Sequence, residues 1–190
     1  DLGVGNMKAA IIGGTGYGAI ELIRLLNKHP YLEVGSVVSN SQAGNDFSES
    51  YPHLTEIINQ PLESFDVNRL SEQNDIVFLA TPSGVSSKMV PQLMGKGIKV
   101  IDLSGDFRLR SQNEYETWYK HTAPEETYLS KAVYGLSEIY SEEIKGATLI
   151  ANPGCYPTAT SLGLIPILKA NLADSQSIII DAKSGVSGAG

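Results

Sequence analysis

A second cysteine is missing from this sequence. With Cys155 as the one cysteine among 190 residues, no internal disulfide can form, and none of the Cys/His spacings of a structural zinc site is present. The expectation is a reducing, cytoplasmic setting and no metal. Basic residues are also scarce: 14 Lys+Arg stand against 21 Asp+Glu, for a net charge of −7, and they form no run. Affinity for phosphate backbones comes mainly from clustered Lys and Arg, so a nucleic-acid partner is not expected. No apolar stretch approaches the ~18 residues of a membrane span. The opening DLGVGNMKAAIIGGTG breaks into glycines too early for a signal peptide. Met7-Lys8 reads as a native start, with Asp1–Asn6 as a vector remnant, and IIIDAKSGVSGAG stops at Gly190 in mid-motif, as in a truncated chain.

What is present is a series of short, β-branched apolar runs at Ala9–Ile12, Val34–Val38, Ile76–Ala80, Lys99–Leu103, Thr148–Ala151 and Ser177–Asp181. Several are continuous rather than alternating, which suits strands covered on both faces. Helical periodicity falls between them. GAIELIRLLNK places Ile20, Leu22, Ile23 and Leu26 along one side and halts at His29-Pro30. SGVSSKMVPQLMGKG reads as a second helix, with Ser83 as N-cap and Gly95 as its close. Asp106–Lys131 is polar and aromatic, and reads as loop with short helices. The alternation predicts an α/β chain, a Rossmann-type doubly wound parallel sheet.

The first strand and helix are joined by GGTGYGA, which fits two frames: G-x-G-x-x-A through Gly14, Gly16 and Ala19, and G-x-x-G through Gly13 and Gly16. Glycine here allows a left-handed turn and a close backbone approach to a pyrophosphate at a helix N-terminus. The plain alternative is a glycine turn without a ligand; strand before and helix after favour the nucleotide. An NAD site offers an acidic residue ~20 residues further on, for the ribose 2′-OH. Here that position reads VVSNSQAG, with Ser39, Asn40 and Ser41 and no carboxylate before Asp46. A 2′-phosphate is therefore not repelled, and NADP is the expected cofactor. A further contact is expected at Thr81, Pro82 and Ser83 in TPSG, beyond the third strand, with an ordinary strand-to-helix turn as the alternative.

Cys155 follows the run ATLIA through Asn152-Pro153-Gly154 and precedes an apolar helical segment. That puts its sulfur near a helix N-terminus, where free N–H groups favour a thiolate. Pro157 suits the first turn, and Pro166 is expected to kink or interrupt the helix. A buried structural cysteine is the competing reading; the position at a strand's carboxyl end favours a nucleophile. A thiolate beside a nicotinamide can take up an acyl group as a thioester, which hydride converts to an aldehyde. Such chemistry needs a proton carrier. His29 and His53 read as surface or capping residues, and His121 lies in a loop that the sequence does not place.

GGTGYGAIEL, VIDLSGDFRL, AVYGLSEI, ANPGCYPTAT and DAKSGVSGAG, in this order, resemble the N-acetyl-gamma-glutamyl-phosphate reductases of arginine biosynthesis. The likeness runs from about Lys8 to Gly190 and is most specific in NPGCYPT and KSGVSGAG. It implies an NADP-dependent enzyme that reduces an acyl phosphate to a semialdehyde and releases phosphate. Its implied architecture is a nucleotide domain from Met7 to about Cys155, then, over 156–190, the truncated start of an α+β catalytic and dimerisation domain. It also implies a homo-oligomer, dimer or tetramer. By the same resemblance Cys155 is the nucleophile, and Gly13, Thr15, Gly16, Tyr17, Ser39 and Ser41 bind the cofactor. Arg108, Asn152, Lys183, Ser184 and Gly185 meet the substrate. For Arg108 the competing reading is a surface ion pair with Asp106. Two departures stand out. The loop that commonly reads PHG in this family is PSG here, and the acid/base histidine is expected beyond Gly190. The alternatives are a sister reductase of a longer or carrier-bound acyl phosphate of aminoadipyl type, and an NADP-binding fragment inactive on its own.

Overall fold

In the computed structural model, which describes residues 6–189, six strands form one wholly parallel sheet. They are β1 (Met7–Ile12), β2 (Leu32–Val38), β3 (Ile76–Leu79), β4 (Lys99–Asp102), β5 (Val133–Tyr134) and β6 (Leu149–Ala151), in the spatial order β2-β1-β3-β4-β6-β5. Among the described residues the helices are α1 (Tyr17–Leu26), α2 (Phe47–Ser50), α3 (Val67–Gln73), α4 (Ser86–Gly95), α5 (Gln112–Tyr119), α6 (Glu126–Leu129), α7 (Ser137–Lys145), α8 (Cys155–Lys169) and α9 (Val186–Ala189). Of the expected remnant Asp1–Asn6, residues 1–5 lie outside the described residues, as does Gly190.

The continuous apolar runs form strands because both sheet faces are covered. Successive side chains on a strand point to opposite faces. Ala10, Ile12, Val77, Leu79 and Val100 therefore join one core with Val90 and Leu93 of α4 and with Leu129. Ala9, Ile11, Val37 and Phe78 join another with Ala19, Ile20, Ile23 and Leu26 of α1, and with Phe47, Leu54 and Leu62. Each fully buried aliphatic side chain contributes roughly 1.5–3 kcal/mol relative to exposure. The chain runs outward from β1 to β2 and then crosses back to β3 on the other side of β1. Loops from the carboxyl ends of β1 and β3 consequently part at this point and leave a crevice.

Several local expectations are corrected. The first helix ends at Leu26, ahead of Pro30; the N–H groups of Asn27, Lys28 and His29 continue as turns onto Ile23, Leu25 and Leu26. The second helix begins at Ser86 with Val85 at its N-cap, so Ser83 does not cap it. The carboxylate of Asp106 takes that role instead, accepting from the N–H groups of Gly84 and Ser87. Pro166 does not interrupt α8, which continues to Lys169, with the Ala170 N–H bonded to the Pro166 carbonyl. Ser177–Asp181 is not a strand: a 3₁₀ turn covers Ser175–Ser177, and Ile179 and Ile180 are exposed. β-Branched residues need a neighbouring ladder, and none of the described strands pairs with this segment. β5 has only two residues, too few for an apolar run to mark it.

Candidate active site

The glycine turn after β1 is held by the backbone. Gly13 and Gly14 both donate N–H to the Val38 carbonyl at 3.0 Å, and Gly16 donates to Gly13 at 3.1 Å. Gly13 has φ +89°, and a Cβ there would overlap the Ala80 carbonyl, so no other residue fits. Of the two frames legible in the sequence, G-x-x-G is the one that closes the turn. α1 starts at Tyr17 with Gly16 as an N-cap that lacks a side chain, and no acidic residue stands in its first turn. The first backbone bond into this helix is from Ile20 N–H to the Gly16 carbonyl, so the N–H groups of residues 17–19 remain available among the described residues. From the end of α2 the Tyr51 hydroxyl donates to the Thr15 carbonyl at 2.6 Å.

These groups border a cavity of about 660 Å³ that gathers Gly13, Thr15, Gly16, Ser39, Ser41, Thr81 and Pro82, with Asn40, Val85 and Met89. Tyr17 and Ser83 do not line it: Tyr17 is exposed at the start of α1, and Ser83 sits half-buried beyond Pro82. Ser39 is buried, its N–H donates to the Glu63 carbonyl at 3.0 Å, and its Oγ lies 3.4 Å from that of Ser41. No carboxylate side chain is among the lining residues. Uncapped helix N–H groups, a backbone that excludes a Cβ and neutral hydroxyls in place of an acid together fit a 2′-phosphorylated dinucleotide.

Cys155 is exposed and is the first residue of α8, after Gly154 as N-cap. Thr158 N–H bonds to the Gly154 carbonyl at 3.0 Å, and Pro157 has no N–H. This leaves the N–H groups of Cys155 and Tyr156 without partners among the described residues. The thiol borders a second cavity, about 630 Å³, with Asn152, Pro153 and Thr158, and with Gly135–Glu138 at the start of α7. Gly135 N–H donates to Ala151 at 2.8 Å, and a Cβ on Gly135 would approach Ile150 Cγ2 to 2.8 Å. Ser137 and Glu138 were missed from sequence; the only signal was their place in the AVYGLSEI stretch. Among the described residues, Cys155 and Glu138 are the titratable groups lining this cavity, and no histidine does. His121 lies elsewhere, its ring 3.9 Å from where a Gly84 Cβ would stand.

Arg108 connects the loops around this site. Its Nε donates to the Asn152 carbonyl and its Nη2 to the Leu103 carbonyl, both at 2.8 Å. It does not pair with Asp106, which is fully buried and bonded to other donors. Asn152 Nδ2 donates to the Pro153 carbonyl at 3.1 Å. Lys183, Ser184 and Gly185 lie exposed beyond α8 and do not line the Cys155 cavity. Lys183 pairs with Asp181, and Ser184 Oγ donates to the Gly185 carbonyl at 3.2 Å.

Behind the crevice, burial pushes the carboxyl of Asp102 above its ordinary value, against hydrogen bonds from Ser86 and Ser104 that lower it. The folded state thus holds this proton more tightly than the unfolded chain. Stability is then lost as pH rises from the ordinary carboxylate value of about 4 through the raised one. Asp102→Asn should remove that decline, because rotating serine hydroxyls can serve an amide as well. Thermal melts across acidic to neutral pH should show a shallower fall for the variant than for wild type.

The family profile described as "Semialdehyde dehydrogenase, NAD binding domain" matches residues 8–147, and "Semialdehyde dehydrogenase, dimerisation domain" matches residues 155–190. The chain is 54% identical over 184 residues to an N-acetyl-gamma-glutamyl-phosphate reductase of Geobacillus sp. (strain WCH70), covering 97% of this chain and 53% of that protein. It is 52% identical over 183 residues to the protein of that name from Oceanobacillus iheyensis, covering 96% and 53%. The chain spans about half the length of the curated relatives it matches. Aspartate semialdehyde dehydrogenase II from Vibrio cholerae, solved in complex with ASA, shares the fold with a TM-score of 0.63 at 20% identity, over 87% of this chain and 47% of that one. The aspartate semialdehyde dehydrogenase from Candida albicans, solved with NADP, does so with a TM-score of 0.61 at 16% identity, over 87% and 47%. No helix of the described residues is long and apolar enough to cross a membrane.

Proposed function

The chain belongs to the semialdehyde dehydrogenase family, and on that premise we propose that the whole protein reduces N-acetyl-L-glutamyl 5-phosphate to N-acetyl-L-glutamate 5-semialdehyde with NADPH, in arginine biosynthesis. The observation that carries this reading is the exposed Cys155 thiol at the first turn of α8, on the same sheet edge as the nucleotide cradle. Relatives bearing the reductase name supply the substrate.

When bound, NADPH supplies the hydride. Gly13, Thr15 and Gly16 would hold the pyrophosphate at the start of α1, where Tyr17 would offer its N–H. Ser39 and Ser41 would donate their hydroxyls to the 2′-phosphate, and the Thr81-Pro82-Ser83 turn would flank the far end of the cofactor, with Ser83 behind Thr81 and Pro82. Cys155 Sγ attacks the acyl carbon, the C–O bond to phosphate breaks, and phosphate leaves. The resulting thioester, once reduced, is a thiohemiacetal anion; as its C=O bond re-forms, the C–S bond breaks, giving the aldehyde and returning the electron pair to sulfur. The free N–H groups of Cys155 and Tyr156 stabilise the oxyanion. Arg108, Asn152 and the Lys183-Ser184-Gly185 segment belong to the substrate side, with Arg108 acting chiefly through the turn it braces. The nucleotide domain ends near Cys155, and the protein works as a homo-oligomer in the cytoplasm, where the thiol stays reduced.

In the reverse direction, the full-length protein is expected to reduce NADP with N-acetylglutamate semialdehyde only when phosphate or arsenate is present. The aminoadipyl semialdehyde serves as comparator. A higher kcat/KM for that longer substrate would move the assignment to the sister reductase, and activity without phosphate or arsenate would contradict the acyl-phosphate chemistry.

A further inference from the structure

Asp106 is fully buried, and both its oxygens are engaged. Oδ1 accepts the Gly84 N–H at 2.7 Å and the Tyr115 hydroxyl at 2.9 Å; Oδ2 accepts the Ser87 N–H at 2.9 Å. Its own N–H donates to Ser104 Oγ at 3.1 Å. Tyr115 is itself fixed, stacked on Tyr119 with ring centroids 4.9 Å apart, and Tyr119 closes over Gly105, where a Cβ would overlap its ring. The loop after β4 is thereby fastened to the turn after β3. Two residues on, Arg108 fastens the same loop to the turn after β6, which carries Cys155.

A helix can be capped by a serine or aspartate of its own chain segment at little cost. Val85, at the N-cap of α4, provides no such bond. A carboxylate from another loop supplies it, and the same carboxylate fixes Gly84 at φ +87°. Burying a polar group is costly unless it is hydrogen-bonded, and the two bonds from Gly84 and Ser87 hold the turn while the third, from Tyr115, holds the side chain itself. Thr81, Pro82 and Val85 of that turn wall the nucleotide cavity on the side toward β4 and β6. The carboxylate also cancels the positive end of α4. The pyrophosphate is therefore left to α1, and the β3 turn suits the uncharged dihydronicotinamide end.

We propose that Asp106 is a positioning residue: it sets the Thr81–Val85 turn that aims the nicotinamide toward Cys155, and does not touch the cofactor itself. This rests on the NADPH-dependent reading above. The test compares wild type, Asp106→Asn and Tyr115→Phe in the full-length protein. Asparagine keeps an acceptor for Gly84 and loses the one for Ser87. With the melting temperature within a few degrees of wild type, Asp106→Asn should bind NADPH within threefold of wild-type affinity and lose at least half of the bound-state gain in NADPH fluorescence. Its kcat should fall on the order of tenfold to a hundredfold, with a larger primary isotope effect from 4-deuterated NADPH. Tyr115→Phe should show the same changes at about a quarter of the size. Wild-type fluorescence and kcat in Asp106→Asn would overturn the proposal, as would a loss of affinity matching the loss of kcat. If Asp106→Asn does not fold, Tyr115→Phe decides: a wild-type isotope effect and fluorescence gain overturn the proposal. The fluorescence readout needs no substrate, so failure of the wild type to turn over acyl phosphate counts against the proposed reaction and leaves the positioning test intact.

Discussion

Cys155→Ser in the full-length protein should lower turnover by on the order of 10⁴-fold or more, as expected when a covalent nucleophile is removed. NADPH affinity should stay within about twofold. The contrast follows from where the residue sits. Its side chain is exposed at the first position of α8 and takes no part in either core, so a hydroxyl of similar size changes stability by no more than ~0.5 kcal/mol. Nor does it line the cavity formed by Gly13, Ser39 and Thr81. An alkoxide is far less accessible than a thiolate at neutral pH, and an oxygen ester accepts hydride less readily than a thioester. Steady-state assays beside NADPH titrations check both halves. Retained turnover would remove the nucleophile assignment, and lost NADPH binding would mean that the two cavities are not separate.

Gly13→Ala carries the next largest effect, on both stability and cofactor. The residue stands at φ +89°, and its new Cβ would overlap a backbone carbonyl, that of Ala80, which cannot turn aside as a side-chain tip can. Left-handed backbone costs an alanine roughly 1–2 kcal/mol, and overpacking adds about 1–3 kcal/mol. A drop in melting temperature of roughly 5–15 °C is expected for a chain of this size. Shifting Gly13 also breaks its bond to Val38 and the Gly16 bond that closes the turn. NADPH affinity should fall at least tenfold. A thermal melt with an NADPH titration reads both, and wild-type values in either would show that the turn is not the constraint described.

The parts of this site that could be read from sequence are those whose cause is local. The Gly13–Gly16 turn needs a strand before it and a helix after it, all within twenty residues. The setting of Cys155 between Pro153-Gly154 and Pro157 is likewise contiguous, as is the absence of an acid around Ser39–Ser41. What could not be read depends on groups far apart in the chain. Tyr51 reaches back 36 positions to the Thr15 carbonyl, Asp106 caps α4 from 19 and 22 positions away, and Arg108 spans 44 positions to Asn152. Ser83 does not cap α4 for that reason: the local pattern suits capping, but the N–H groups of Gly84 and Ser87 are bonded to the distant Asp106 carboxylate. Ser177–Asp181 failed differently. Its residue types suit a strand, but a strand exists only against a partner, and the described residues provide none.

In the proposed reaction Cys155 carries the acyl group. Incubating the full-length protein with N-acetylglutamyl phosphate in the absence of NADPH, quenching in acid and mapping the peptides by mass spectrometry tests it most directly. One acyl adduct is expected on the peptide containing Cys155, removed by hydroxylamine and discharged when NADPH is added before the quench. An active protein that shows no adduct there, or that carries it on another residue, would rule out Cys155 as the acyl carrier.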